Sequence, residues 1–484
     1  MRTLRLLHSL AASLVLAFLI NSAAAATLTV TTTADSGAGS LRQAIADAAP
    51  GDTITFDTGI IGERINLLNG PLDIAKNLTI DAHARKDGVV LHAGGKSRVL
   101  AVADKATVTL SGIHISGAHQ LFGAALSNAG TLTMVRCAVT ANTATVPDCS
   151  GINNRGTLTM VDCTVSGFSQ AEKHCRIVDG GGIYNSGTLT MTGCTLAENS
   201  AGRGGGLYNT GTVSMTACTL AGNSGKAGGG GIHNTGTVSL VACTISDNYA
   251  KSGSAITNDK GGTVTLRSTL VGKSTPHPAC GPYFNNIHGT TISQGYNLCD
   301  DWGPVAITAT DLTKTIDEIN LNCLYDAGGP TDTCRLLDNS AAFDHGDPDP
   351  AYKFDQRGVR RPYRTRADIG AFEDDTPATT LPAVSLISTA ATPAQARSGD
   401  TLTLTFTASA EIKPPTVILA GQTATVTGSK TTWTATVPVG ADTPEGAVTF
   451  SISFSDLIGH AGVPVSATTD GSRVTIEAAP SNRR

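Results

Sequence analysis

Charge is scarce in this chain. Asp, Glu, Lys and Arg together make up 15% of its 484 residues, with 34 basic side chains against 39 acidic ones. Basic excess is missing altogether, which argues against a nucleic-acid partner. Low charge does not indicate disorder here, because apolar residues recur regularly. Beyond residue 26 there is no second long apolar run, so the mature chain is expected to lack a transmembrane helix. Helical periodicity is missing from the repeats described below, and so is the LxxLxL frame of leucine-rich repeats. There is no CxxC pair and no histidine pair at ligand spacing, which makes a structural zinc site a poor reading of the eleven cysteines.

Repetition is abundant. Six related segments lie between Gly123 and Leu270, starting about 24 to 29 residues apart. Three of them read GGGIYNSGTLTMTGCTLAEN, GGGLYNTGTVSMTACTLAGN and GGGIHNTGTVSLVACTISDN. A unit this short cannot bury a core alone, so the copies must stack. Within a copy, Thr188 and Thr190 alternate with Leu189 and Met191, which is strand periodicity. Glycine and asparagine occupy the turns, where positive φ is tolerated. Two or three short strands per copy, stacked in register roughly 4.8 Å apart, make a right-handed parallel β-helix.

Stacking places like residues on like. One inward column is Leu126, Ile152, Ile183, Leu207, Ile232 and Ile256. Another is Cys137, Cys163, Cys194, Cys218 and Cys243, with Ser268 expected to end it. One asparagine column runs from Asn128 through Asn154, Asn185, Asn209 and Asn234 to Asn258. A second holds Asn142, Asn199, Asn223 and Asn248 and is interrupted by Phe168. Stacked amides should hydrogen-bond along the column. Outward threonines, such as Thr188 and Thr190, should form two ladders on one flat face.

The remaining chain divides by pattern. Residues 1–26 read as a signal peptide: Arg2 and Arg5, an apolar run from Leu10 to Ile20, then Ala24-Ala25-Ala26. The protein is therefore expected to be exported, and either secreted or held at the cell surface. Its removal leaves 32 basic against 39 acidic residues, a net of −7. The β-helix is assigned to 27–375, with an N-terminal cap and first coils at 27–105, regular coils at 106–270, and irregular coils with a C-terminal cap at 271–375. Ser40-Leu41-Arg42-Gln43 reads as a capping-box start for a short helix reaching about Ala49, placed to plug the open end of the stack. A linker follows at 376–381. Residues 382–477 alternate over short strands with turns about ten residues apart, as in a small Ig-like β-sandwich. A tail occupies 478–484.

Six cysteines fall outside the inward column: Cys149, Cys175, Cys280, Cys299, Cys323 and Cys334. In an exported protein these are disulfide candidates. Cys149 and Cys175 occupy the two longest insertions between coils, 143–150 and 169–179, at the same corner of adjacent coils, and are expected to pair. Proximity pairs Cys280 with Cys299 and Cys323 with Cys334, out of about 15 connectivities.

Four stretches carry resemblances. GGGIYN, GGGLYN and GGGIHN, with LAEN, LAGN and ISDN, are similar to the GGA[ILV] and FxxN repeats of polymorphic outer-membrane proteins, with aliphatics replacing the Phe. VTTTADSGAGSLRQAIADAAPGDTITF, at 30–56, resembles the SLREAI-type start of bacterial exported β-helix proteins. DAGGPTDTCRLLDNSAAFDHGD, then DQRGVRRP and DIGAFE within 326–373, resembles the end of a choice-of-anchor Q domain, with Ala327 and Cys334 departing from its pattern. PEGAVTFSI, DLIGHAG and TTDGSRVTI, within 382–477, are similar to bacterial Ig-like domains of surface proteins. These resemblances imply architecture and export more than any particular activity.

Function is weighed between two classes. The first is a non-catalytic scaffold for adhesion or for carbohydrate or cell-envelope binding, expected to act as a monomer. The second is a polysaccharide lyase or glycoside hydrolase of the same fold. An enzyme of that kind needs clustered carboxylates, or calcium with a base. Asp162, Glu198 and Asp247 fall on different coils and are read as occupying different columns, and no NTD, GHG or RIK cluster occurs, so the scaffold is preferred and no catalytic residue is assigned. The insertion at 169–179 supplies Lys173, His174 and Arg176 as ligand-binding candidates. Asp344, Asp347 and Asp349 are candidate Ca²⁺ ligands, so calcium is the one cofactor considered, a structural turn being the alternative.

Overall fold

The computed structural model describes residues 25–82, 88–120, 125–144, 150–170, 179–272, 275–276, 285–303, 305–364 and 366–477. Most of the chain coils into a parallel β-helix built of three long sheets. One holds eleven strands, from Thr27–Val30 through Thr188–Thr192 to Ile292–Ser293. A second, also of eleven, runs from Arg64–Asn66 through Thr195–Ala197 to Leu312–Thr313. The third has nine, from Leu72–Ile74 through Ile183–Asn185 to Ile287–His288. In these three sheets the neighbouring strands of the regular coils are parallel and in register, for example Thr188 against Thr212 and Met191 against Met215.

The expected columns are present. Leu126, Ile152, Ile183, Leu207, Ile232 and Ile256 are all fully buried. Burying each such side chain contributes about 1.5–3 kcal/mol, repeated coil after coil. Asn128 donates to Asn154 at 2.8 Å, Asn154 to Asn185 at 2.7 Å, and Asn185 to Asn209, Asn209 to Asn234 and Asn234 to Asn258 at 2.8 Å each. In the second column Asn199 donates to Asn223 and Asn223 to Asn248, while Phe168 breaks the row and its backbone N–H donates to Asn199. The middle threonine row is longer than the repeats themselves. It begins at Thr27, passes Thr53, Thr79 and Thr109, and continues through Thr133 and Thr190 to Thr265.

The cysteine column ends one residue later than the sequence suggests. Thr269, not Ser268, occupies the next position, accepting from the Cys243 N–H at 3.4 Å as each sulfur accepts from the coil before. Ser268 instead takes the left-handed corner position, with φ of 48°, equivalent to Ala242.

The N-terminal helix spans Leu41–Asp47 and buries Leu41, Ala44 and Ile45 in the same core as the first coils. Only half of the expected capping box forms. Ser40 accepts from the Gln43 N–H, but the Gln43 amide turns to Asp47 at 2.8 Å instead of returning to Ser40. Asp35 then fastens this end, accepting from Arg42 and from the Leu68 and Asn69 N–H groups.

The C-terminal part of the β-helix region behaves differently from a cap. After Leu312–Thr313 the chain leaves the stack and turns at a short helix, Ile316–Ile319. It then folds back along the outer side of the Thr195–Ala197 sheet. The hairpin Leu321–Tyr325 with Thr333–Leu336 begins this return and is crosslinked by the Cys323–Cys334 disulfide. Cys299 is a free, fully buried thiol, because its strand faces it into the stack's core. Its expected partner Cys280, like Cys149 and Cys175, lies outside the described residues.

From Leu381 onward, sheets that are antiparallel except where Gln395–Ala396 pairs parallel with Thr475–Ile476 pack around a separate core containing Leu386, Leu404, Phe406, Val417, Trp433 and Ile452. The largest sheet orders Ala383–Ser388, Thr401–Thr407, Thr432–Pro438 and Thr425–Ser429.

Candidate functional site

At the corner between the first and second sheets, each coil places one residue in the left-handed region. Arg136, Asp162, Gly193, Ala217, Ala242 and Ser268 hold this position with φ between 48° and 64°. That conformation costs roughly 1–2 kcal/mol for a residue with a side chain. Arg136 and Asp162 stand on successive coils, their charged groups 3.7 Å apart. Gly193 follows, and a Cβ there would fall 2.6 Å from the Asp162 carboxylate. Glycine thus leaves the space into which Asp162 leans.

The returning segment walls this corner and makes a cleft of about 400 Å³. Thr192, Thr216, Gly193 and Ala217 line it on the β-helix side, and Pro330 with residues 352–358 line it on the other. Phe354 lies at this wall with 59% of its surface exposed, unusual for an aromatic ring. Lys353 lies beside it, loosely paired with Asp349 at 3.3 Å.

The wall is held rigidly. Gln356 donates to Thr195 and Thr331 at 2.8 Å each and to the Asp332 carbonyl at 3.0 Å, and accepts from Thr219 at 2.6 Å. Asp355 is buried and saturated. Its carboxylate accepts from the Arg357 and Val359 N–H groups, the Glu373 N–H and the Arg357 guanidinium. Behind it, the fully buried Arg361 donates to the carbonyls of Asp368 and Gly370 and lies 3.6 Å from Glu373. Burial pushes the Asp368 carboxyl well above its usual range, and the nearby Glu373 charge adds to this. The DQRG and DIGAFE stretches are therefore the structural frame that sets the wall.

Two carboxylates line the cleft, and only Asp162 has capacity left. Burial raises its pKa and Arg136 pulls it back down. An acid–base pair for glycosidic cleavage needs two carboxyl groups facing one bond, and Asp355 has both oxygens occupied. What the cleft does offer is an aromatic face, the Arg136–Asp162 pair, the Thr192 and Thr216 hydroxyls and Lys353. Such a set can stack on and hydrogen-bond to a polyhydroxylated ligand.

The candidates from sequence are dispersed. Lys173, His174 and Arg176 lie outside the described residues. The three calcium candidates do not converge. Asp347 is buried against Arg267, Asp349 is solvent-facing beside Lys353, and Asp344 sits near Arg364 and His460. Among the described residues no group of three or more His, Cys, Asp and Glu side chains could hold a metal ion. Glu198 and Asp247, expected in different columns, share one: both hold the corner position of Ala141, with φ of 55° and 53°.

A second cluster lies beside Asp179. Tyr184, Tyr208 and His233 stack on successive coils with ring centroids 5.5 and 5.1 Å apart. Arg203 covers Tyr208 and is held by both oxygens of Asp179, so little of the Tyr208 ring is accessible.

No protein-family model matches this chain, and no curated protein matches it. Among solved structures the crystal structure of the pectate lyase Pel9A is similar, at 13% identity, covering 72% of this chain and 96% of that one with a TM-score of 0.38. A likeness that slight bears on neither activity nor ligand.

Proposed function

We propose that this chain is an exported, non-catalytic surface or secreted protein that binds carbohydrate, as part of adhesion or cell-envelope contact, on a rigid β-helix scaffold. The cleft under Phe354 is the binding site in this reading. The observation that carries it is the exposed ring beside a small cleft whose polar lining suits hydroxyls and whose second carboxylate is saturated. Arg136 and Lys353 at the rim favour glycans that carry acidic groups. Phe354 is mostly solvent-facing, so Phe354→Ala should leave the melting temperature unchanged. It should weaken binding of the best glycan from an array about tenfold, the effect of losing an aromatic contact worth roughly 1–1.5 kcal/mol. Unchanged affinity in a folded variant would place the ligand elsewhere.

A further inference from the structure

The returning segment and the C-terminal sandwich meet through a buried ionic cluster that the binding reading leaves unused. His460, from the sandwich, is 3% exposed. Its Nδ1 is hydrogen-bonded to Asp456 of the sandwich at 2.9 Å, and its Nε2 lies 2.9 Å from Asp374 of the returning segment, a close ion-pair contact without hydrogen-bond geometry. A neutral imidazole carries one N–H and no charge, so it satisfies only one of these carboxylates; the imidazolium presents an N–H and a positive charge to both. The Phe343 ring packs against His460 at 4.1 Å.

Charged groups reach this ring from each side of the joint. From the returning segment come Asp344, Asp374 and Arg364, and from the sandwich comes Asp456. Arg364 sits 3.6 Å from Asp374 and 3.9 Å from Asp456. Three carboxylates thus face one guanidinium, and a charged His460 halves the cluster's net charge from −2 to −1. Asp456 is fixed by the Gly459 and His460 N–H groups at 2.8 Å. Asp374 is fixed by Thr376 and by its own N–H, which donates to Asp368. Close by, the Asn339 N–H donates to the Ile458 carbonyl, so the 456–460 turn is seated on the returning segment from two sides.

We propose that Asp374–His460–Asp456 is a proton-dependent clamp that fixes the sandwich to the β-helix in mildly acidic solution and releases it as the solution becomes alkaline. Burial is the largest influence on His460 and lowers its pKa, but the two carboxylates together outweigh it and the net shift is upward. Asp374 shifts the complementary way: burial raises it, the close His460 contact leads the opposing effects, and the net is downward. A base whose folded pKa is raised contributes fully below its unfolded value near 6.5 and loses that contribution as pH rises through the folded value. Deprotonation leaves one carboxylate facing a lone pair across the joint.

The test uses the full chain. Small-angle scattering from pH 5.5 to pH 9 should show one fixed arrangement at the acid end and a broadened spread of sandwich positions at the alkaline end. His460→Gln keeps an uncharged amide NH2 and cannot take up a proton. It should be loose throughout and lose the pH dependence. A wild-type joint that does not change over this range would overturn the clamp, as would a variant that keeps the same pH response. Histidine NMR titration of the wild type covers the case in which the variant fails to fold. An apparent His460 pKa above 6.5 supports the clamp, and one at or below 6.5 overturns it.

Discussion

Asn209 shows what a single repeated residue does here. Its amide donates to Asn234, to the Gly211 carbonyl and to the Thr237 carbonyl, and its oxygen accepts from Asn185. Asn209 is fully buried, so replacement removes one hydrogen bond from a partner on each of the two adjacent coils and lets no water replace it. Asn209→Ala should therefore cost about 1–3 kcal/mol, read as a lower denaturant midpoint with unchanged slope. Unchanged stability would mean that the ladder is ornamental. Residues of this kind were legible in the sequence because a column repeats its identity at every coil. Ser268 was misplaced for a related reason. At the last coil both a serine and a threonine stand near the cysteine position, and only the strand pairing of Thr244 with Leu270 shows that Thr269 continues the column.

At the scale of elements, the returning segment is the part the sequence concealed. Its DQRG and DIGAFE stretches were visible as a resemblance, but their partners were not. Gln356 meets Thr195, and the Thr219 hydroxyl meets Gln356, across separations of 161 and 137 residues, and nothing periodic announces such contacts. The consequence is that the segment clasps the flank of the stack instead of closing its end. Gln356→Ala would take one hydrogen bond from each of the Thr195, Thr219 and Thr331 hydroxyls, which keep Asp332, Thr333 and Gly193 as partners, and should destabilise the protein by about 2–3 kcal/mol in denaturant titration. If the clasp is real, proteolysis should become faster between 326 and 375 before the regular coils are attacked. Uniform resistance would contradict it. The cleft escaped sequence reading on the same grounds, since Arg136 and Asp162 come from the coils and Phe354 from the clasp.

On the scale of the whole molecule, a parallel β-helix with in-register columns supports an antiparallel unit through a buried ionic joint. The periodic half of that arrangement follows from the repeats. The joint and the cleft do not, because each is assembled from residues that occur once. The fastened frame around Asp355 and Arg361 gives the cleft wall its stiffness. The most direct test of this account is a glycan-array screen of the purified protein, with and without Ca²⁺, followed by mass spectrometry of every bound polysaccharide. The account predicts binding to glycans that come off at their original length, independent of Ca²⁺. Shortened or unsaturated products would contradict it and make the chain an enzyme.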